Sequence, residues 1–316
     1  MFATLLGPYP VAARPDAAAE LDELALDVVA ELDSAGLEPL SDGQVRRGAG
    51  TLPGDPAAIA GEWRFAAAST SRAVKQAVPG PYSLAWSGDG RGSAGRVRRG
   101  RAGRTAAAIE RVREAIEALV AAGCPFVEVE EPAAVEIGDN PSESRRFHEV
   151  HRALTDGLED AVHLSLVLTG GNVDAAGAAT YFDLPYASYA FDLIAGPDNW
   201  RLIAEAPGDR GIICGALDPA AASSDRPEVL VWAAHYAAST GGRGLVRVGL
   251  ANASSLAGLS PERARAKVHA LADAARIASV GSTEELAAAL DPRAVDLRSA
   301  AYGRYVPPPA ARRPRR

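Results

Sequence analysis

The chain has 316 residues, of which 47% are hydrophobic, enough to bury one large core or two modest ones. This composition excludes collagen-like, coiled-coil and disulfide-scaffold proteins, and the sequence has no apolar run of about 18 residues that could cross a membrane. The first residues lack the basic segment and apolar stretch of a secretory signal, so we expect a cytoplasmic protein. We expect Cys124 and Cys214 to be free thiols in the core.

The net charge of −7 is unevenly distributed along the chain. Residues 91–104 contain six arginines and residues 304–316 contain five, while neither segment contains an acid. Basic patches of this kind can bind nucleic acid, a membrane surface or a polyanionic substrate. Because the chain has only two lysines and is rich in alanine and arginine, we favour compositional bias. We therefore expect no nucleic-acid partner and no membrane partner.

Short apolar segments alternate with helical patterns along most of the chain. The predicted strands are residues 3–6, 37–40, 73–78, 125–130, 162–168, 187–193, 211–214 and 245–250. The predicted helices are residues 17–32, 105–121, 145–157, 227–238 and 261–278, the last with Ser260 as N-cap.

Eight strand and helix units in about 280 residues predict an α/β fold of the (β/α)8 TIM-barrel type, which usually has about 250 residues. A doubly wound open sheet is the alternative, but the glycine-rich phosphate turn expected after its first strand is missing. We predict a single barrel domain over residues 1–290. Within it, the Gly- and Arg-rich residues 88–104 are expected to form a mobile loop. Residues 291–316 are expected to be an extension ending in a disordered Pro- and Arg-rich tail.

The loops that follow the strands form the active site in this type of barrel. We predict three catalytic residues in these positions, Glu130, Asp192 and Asp218. We predict substrate-binding roles for Tyr9, Gln44, Arg46, Tyr82, Glu128, Asn172 and Ser254.

Glu128 and Glu130 are two residues apart on one predicted strand, so they share a face. If both are buried, one has a raised pKa and can serve as a general acid. The alternative for Glu130 is a structural salt bridge, and for Asp218 a turn cap. The histidines contribute little to this interpretation of the active site. His163 is expected in the core or on the bottom face, and His148 and His151 on a solvated helix face.

Several motifs resemble the cobalamin-independent methionine synthases. They are GPYP at 7–10, DGQVRR at 42–47, VKQAVPGPYSLA at 74–85 and AGCPFVEVEEPA at 122–133. Residues 180–200 and 211–218 are similar to the metal-free N-terminal barrel of that family, and the whole resemblance spans about residues 3–278. It implies a barrel fold and methyl transfer from a methylated folate to the thiol of homocysteine, which zinc activates.

The zinc ligands of the family have no counterpart here. The His-x-Cys positions fall on Val167 and Thr169, the glutamate on Asp192 and the second cysteine on Ser254. Moving the alignment so that His163 and Ser165 take the first pair still provides no cysteine. We therefore expect no zinc, and a methylated folate is the one cofactor that the resemblance offers.

Some other positions also depart from the pattern of the methionine synthases, and some match it. Gln44 replaces the acid that grips the substrate amine, Glu130 replaces an aspartate, and the family's later histidine falls near Ala220. By contrast, Arg46, Glu131 and Asp218 match the family pattern.

Three functions remain open, and each makes a different prediction. The favoured one is a one-carbon or methyl transferase that acts on a small amino acid or related acceptor without zinc-thiolate activation. The second is a zinc-free lyase or decarboxylase of the uroporphyrinogen decarboxylase type, with Arg46, Arg47, Glu130 and Asp218 handling an acidic substrate in a positively charged pocket. The third is a non-catalytic binding protein, like the family's N-terminal barrel, with a second protein chain as its partner. In the first case the substrate is a small molecule, and an anionic one such as a polyglutamylated folate if the arginine segment covers the site.

Overall fold

A curved parallel sheet forms the centre of the protein. The computed structural model describes residues 1–11, 17–47, 50–87, 94–221 and 227–289. The sheet has seven strands in the order β1-β7-β6-β5-β4-β3-β2. Their bounds are β1 (Phe2–Ala3), β2 (Gln76–Pro79), β3 (Phe126–Glu130), β4 (His163–Leu168), β5 (Ser188–Asp192), β6 (Gly211–Leu217) and β7 (Val248–Asn252).

The segment ending at Leu40 bridges the two edges of this sheet. Glu38 N donates to Ala3 O at 2.9 Å, and Leu40 pairs with Val74 in a parallel bridge. Lys75 N then donates to Leu40 O at 2.8 Å. The predicted second strand is thus reduced to a bridge, but it lies in the expected place between β1 and β2. The fold is an α/β TIM barrel, as predicted.

Helices pack on the outside of the sheet. They are α1 (Ala18–Ala35), α2 (Ala58–Ala67), α3 (Pro81–Ser87), α4 (Ala94–Ala122), α5 (Pro141–Thr155), α6 (Ala179–Phe182), α7 (Trp200–Glu205), α8 (Pro227–Ser239), α9 (Pro261–Val280) and α10 (Thr283–Ala289). All five predicted helices are present. The Ser260 side chain caps α9 by accepting from Arg263 N, as the sequence predicted. Within the described residues, none of these helices has the length and apolarity needed to cross a membrane.

The predicted loop at residues 88–104 is wrong in its second half, because α4 begins at Ala94. Alanine and arginine are strong helix formers, and extending a helix that is already nucleated costs little. Residues 88–93 and 291–316, where we predicted the start of a mobile loop and a disordered tail, lie outside the described residues. The last strand also begins later than predicted, since Leu245–Arg247 forms a 3-10 turn.

Successive residues of β3 face two different apolar regions of the protein. Val127 and Val129 belong to the large core between sheet and helices. Phe126 packs instead on the small cluster inside the barrel, which contains Leu6, Val167, Ala190, Ile213 and Ala251. Because successive strand residues face opposite sides, Glu128 and Glu130 share the inward face with Phe126. Cys124 and Cys214 are both buried free thiols, as predicted.

Candidate functional site

A cavity of about 200 Å³ lies at the carboxyl ends of the strands, where the active site was expected. It is lined by Leu6, Gly7, Pro8, Gly50, Pro79, Ser83, Leu84, Glu130, Pro132, Val167, Thr169, Ser254 and Ser255. Most of this wall is apolar, with a few hydroxyl groups. Among the described residues that line it, Glu130 alone has an ionisable side chain.

Glu130 ends β3 with its carboxyl group at the cavity. Its Oε1 accepts a hydrogen bond of 2.8 Å from Gln44 Nε2. Burial and, next, the charge of Glu128 raise the pKa of Glu130 to about 7, although Gln44, Arg47 and Lys75 oppose the shift. Both protonation states are therefore populated near neutral pH, which is the condition for a general acid or base.

A tight turn aims Gln44 at Glu130. Gln44 N donates to Asp42 Oδ1 at 2.9 Å, which forms an Asx-type turn, and Gln44 itself has a φ of 53°. Gly43 also has a positive φ, and a Cβ there would lie 2.8 Å from Tyr9 Cβ. The DGQ sequence thus supplies both the conformation and the close packing that this turn requires.

An ion pair lies below Glu130, inside the barrel. Lys75 Nζ is 2.6 Å from Glu128 Oε1 and donates to Leu5 O at 2.6 Å. Both charged side chains are only 1% exposed. Burial raises the pKa of Glu128 and lowers that of Lys75, and their mutual attraction opposes both shifts. Glu128 was predicted to bind substrate, but it faces Lys75 rather than the cavity.

Glu131 points to the other side of the sheet and anchors α3. Its two carboxylate oxygens accept from Tyr82 N at 2.9 Å and Ser83 N at 2.7 Å. A Cβ on Gly80 would lie 2.1 Å from this carboxyl group, so only glycine fits there. The PGP sequence and the third glutamate of VEVEEP, Glu131, therefore form one structural unit, which places Ser83 at the cavity.

His151 lies behind Glu131 and is fully buried. Its Nε2 is 3.1 Å from Glu131 Oε1, and its Nδ1 is 2.6 Å from the Tyr186 hydroxyl. The prediction of a solvated helix face is thus wrong for His151, because α5 turns this residue toward the sheet. His163 is at the opposite end of the barrel from the cavity, as predicted. It is 2.8 Å from Ser188 Oγ and stacks on Phe126.

Both tyrosines predicted to bind substrate turn away from the cavity. The Tyr9 hydroxyl donates to Glu31 on α1 at 3.0 Å, and the Tyr82 hydroxyl donates to Glu143 on α5 at 2.9 Å. Each ring is also buried. The turns hold these residues as expected, but a glutamate on a neighbouring helix determines the direction of each phenol.

Both arginines of DGQVRR pair with carboxylates on the outer helices. Arg46 pairs with Asp22 at 2.7 Å, and its guanidinium carbon lies 4.7 Å from the centre of the Phe65 ring. Arg47 pairs with Glu62 at 2.8 Å, and burial raises the pKa of that carboxyl group. Arg46 was predicted to bind substrate, but it is not among the residues that line the cavity.

The two predicted catalytic aspartates hold loop backbone in this structure. Asp192 accepts from the amides of Gly170, Ile194 and Ala195 at 2.8–3.1 Å, and burial raises its pKa against these donors. Asp218 accepts from Ala220 N at 2.8 Å, which is the turn cap weighed as its alternative. Neither lines the cavity. Asn172 likewise exchanges two hydrogen bonds of 2.9 Å with Asp198.

Three of the four positions that the resemblance aligns with zinc ligands line the cavity, and the fourth, Asp192, does not. Val167, Thr169 and Ser254 all contribute to its wall. None of these side chains is a thiolate, imidazole or carboxylate, whereas a catalytic zinc ion needs about three such ligands. In the described part of the chain, no group of three or more His, Cys, Asp or Glu residues could hold a metal ion. The donor set does not fit the zinc that the resemblance implies.

Sequence reasoning missed Lys75. A lysine inside an apolar strand pattern was the available signal, because lysine is almost never fully buried unless it is paired. The cavity residues Ser83 and Ser255 were also not proposed as site residues. Of the predicted residues, the structure brings Gln44, Glu130 and Ser254 to the cavity region.

Comparison with known proteins gives a fold but no family. No family model matches the chain, and no curated protein matches it. A B12-independent methionine synthase from Shewanella sp. W3-18-1, solved in complex with selenomethionine, is similar with a TM-score of 0.66 and 15% identity, over 87% of this chain and 96% of that one. A putative vitamin-B12 independent methionine synthase from Listeria monocytogenes gives a TM-score of 0.66 and 15% identity, over 87% and 97%. At these identities the likeness shows the barrel fold alone.

Proposed function

We propose that this barrel is an enzyme that transfers a methyl or other one-carbon group to a small acceptor without zinc-thiolate activation, with Glu130 as its acid and base. One observation carries the proposal. Glu130 is at the strand ends, exposed to the cavity, with a pKa of about 7 and a fixed partner in Gln44. The fold-level likeness to two methionine synthases and the order of the sequence motifs support methyl transfer as the reaction class.

The size of the cavity bears on the acceptor. A volume of about 200 Å³ is smaller than the roughly 300–1,000 Å³ of pockets that bury drug-sized ligands. It suits an acceptor of amino-acid size, such as a small amino acid. The larger methyl donor, a methylated folate or a related compound, would extend out of the cavity toward solvent.

Glu130 moves one proton in this reaction. The ionised carboxylate accepts the proton of the acceptor's N–H, O–H or S–H group as that atom forms its bond to the methyl carbon. The bond between the methyl carbon and the donor atom breaks in the same step, and its electron pair stays on the donor. The protonated Glu130 then returns the proton to the donor atom. Gln44 holds the carboxylate in position throughout by its hydrogen bond.

The cavity disfavours a decarboxylase or lyase of the uroporphyrinogen decarboxylase type. That function needs positive charge around an acidic substrate. Arg46 and Arg47 instead pair with Asp22 and Glu62 on the helices, and Glu130 places a carboxyl group in the described wall. A protein that only binds a second chain has no need of a carboxyl group with a pKa near 7. We therefore rank the binding function below the enzymatic one. A cytoplasmic location is part of the same proposal.

An isotope-transfer assay tests this function. The full chain is incubated with a methylated folate carrying a labelled methyl group and, in turn, with homocysteine and a panel of small amino acids. We expect labelled product with at least one acceptor, together with an increase in melting temperature caused by that acceptor. If no acceptor takes label and none raises the melting temperature at millimolar concentration, the enzyme proposal is wrong and the binding protein becomes the better account.

A further inference from the structure

The inward face of β3 carries two carboxyl groups at successive levels of the barrel. Glu130 is at the cavity, and Glu128 is two residues below it on the same face. Glu128 is 1% exposed, so its charge acts on Glu130 through protein rather than through water. In the register of β2 against β3, Pro79 lies opposite Glu130 and Ala77 lies opposite Glu128. At these two positions β2 therefore places no polar side chain beside the carboxyl groups.

Lys75 is the group that favours the ionised form of Glu128, against the effect of burial. Its Nζ is 2.6 Å from Glu128 Oε1, and the carbonyl of Leu5 accepts a second hydrogen bond at 2.6 Å. Pairing with each other favours the charged forms of a lysine and a glutamate that are this deeply buried. The pair has no net charge, but Glu128 is the member that shares the inward face of β3 with Glu130, two residues away. Its negative charge therefore outweighs the positive charge of Lys75 at Glu130, in agreement with the order of the two effects on the pKa of Glu130.

Burial is the largest cause of the raised pKa of Glu130, and the charge of Glu128 is the next. The other groups around this carboxyl group do not raise its pKa. Gln44, from the loop after the bridging segment, is neutral and stabilises the ionised carboxylate. Arg47, from the same loop, also favours ionisation but is paired with Glu62. On the neighbouring strand β4, the residue in register with Glu130 is Val167, which is apolar. Asp192 on β5 is turned toward loop backbone.

We propose that Glu128, kept ionised by Lys75, is a positioning residue that holds Glu130 poised to accept or release a proton in the cavity. It acts through Glu130 and touches no reactant. The use made of that proton rests on the proposed function, but the electrostatic relationship between the two glutamates does not.

Two variants isolate this effect. In Glu128→Gln the shape of the side chain is kept and its charge is removed, so the ionised form of Glu130 loses a repelling neighbour. Because an unpaired buried lysine can prevent folding, Lys75→Met/Glu128→Gln removes both charges together and keeps the test possible. Glu117→Gln, an exposed position on α4 that pairs with Arg113, is the matched control that also removes one glutamate.

The readout is the titration of Glu130 itself. The full chain is labelled with carbon-13 at the glutamate carboxyl carbon, and the resonance of Glu130 is identified by its absence in Glu130→Gln. We expect a midpoint near pH 7 in the unmodified chain and in Glu117→Gln. The midpoint should fall by about one pH unit or more in the double variant, and at least as far in Glu128→Gln. A midpoint that is unchanged or higher in both variants would overturn the proposal.

Failure of the proposed function leaves this result intact, because the titration needs neither substrate nor turnover. If methyl transfer is also found, the acidic limb of the pH profile of kcat/KM should move to lower pH in the same variants. A purely structural role for Glu128 would lower activity at all pH values without moving that limb.

Discussion

Gln44 Nε2 and Glu130 Oε1 are joined by a 2.8 Å hydrogen bond that connects two segments 86 residues apart in the chain. This bond fixes the carboxyl group at the mouth of the barrel, where most of the wall is apolar. The apolar surroundings keep Glu130 partly protonated, and the hydrogen bond orients it. Orientation and protonation state, taken together, make this residue the centre of the site.

Replacing Gln44 by leucine should raise the pKa of Glu130 further. The amide of Gln44 donates to the carboxylate and lowers that pKa, so its loss disfavours the ionised form. Carbon-13 titration of the carboxyl group should show a midpoint above that of the unmodified chain. A lower midpoint would mean that the hydrogen bond is not made in solution.

Glu130 should make the protein less stable as the pH rises toward neutrality. Its pKa is raised to about 7 in the folded chain, whereas an unfolded glutamate titrates near 4.3. The folded state therefore binds more protons, and the stabilisation present below about pH 4 is lost as the pH rises through 7.

Denaturant unfolding of the unmodified chain and of Glu130→Gln at pH 5 and pH 8 tests this linkage. The free energy of unfolding should fall more steeply with pH in the unmodified chain, by about 1–3 kcal/mol over that interval. Since all other groups titrate in both proteins, the difference isolates Glu130. Equal pH dependence in the two proteins would contradict the raised pKa.

Gly80→Ala should destabilise the barrel by about 2–4 kcal/mol. The new Cβ would lie 2.1 Å from the carboxyl group of Glu131, which must then leave the amides of Tyr82 and Ser83. Gly61→Ala is a suitable control, because this helical glycine has no atom within 4 Å of an added Cβ. That control should be neutral or stabilising by up to about 1 kcal/mol. Similar melting temperatures for the two variants would show that the PGP turn tolerates a side chain.

Zinc should be well below one equivalent per chain in protein purified without chelators or a metal-binding tag. Val167, Thr169 and Ser254, which the sequence resemblance aligns with zinc ligands, present no strong zinc donor to the cavity. Incubation with a chelator should leave the melting temperature unchanged. About one zinc per chain, lost on chelation together with stability, would show that another set of residues binds the metal.

The sequence predicted those features that depend on local pattern. The alternation in FVEVE placed Glu128 and Glu130 on one inward face, and Ser260 with Pro261 marked the start of α9. Hydrophobic periodicity and capping are properties of neighbouring residues, so a single sequence contains them. The barrel followed because these local elements repeat in the order that the architecture needs.

Side-chain directions at the site could not be predicted in the same way. Tyr9, Tyr82 and Arg46 stand at strand ends as expected, but Glu31, Glu143 and Asp22 on the outer helices draw their polar groups outward. These partners are up to 61 residues away in sequence, so the pairing depends on how the helices pack. Lys75 was missed for the same reason, since its partner Glu128 lies 53 residues further along the chain.

The most direct test of the central claim is the labelled-methyl assay repeated with Glu130→Gln across pH 5 to 9. Loss of the proton acceptor should reduce kcat/KM by about 100-fold or more and remove the limb of the pH profile near 7. The fold should be retained, because the amide can keep the shape of the carboxyl group. Activity of Glu130→Gln within a few-fold of the unmodified chain, with the same pH profile, would contradict the account and place the chemistry elsewhere in the barrel.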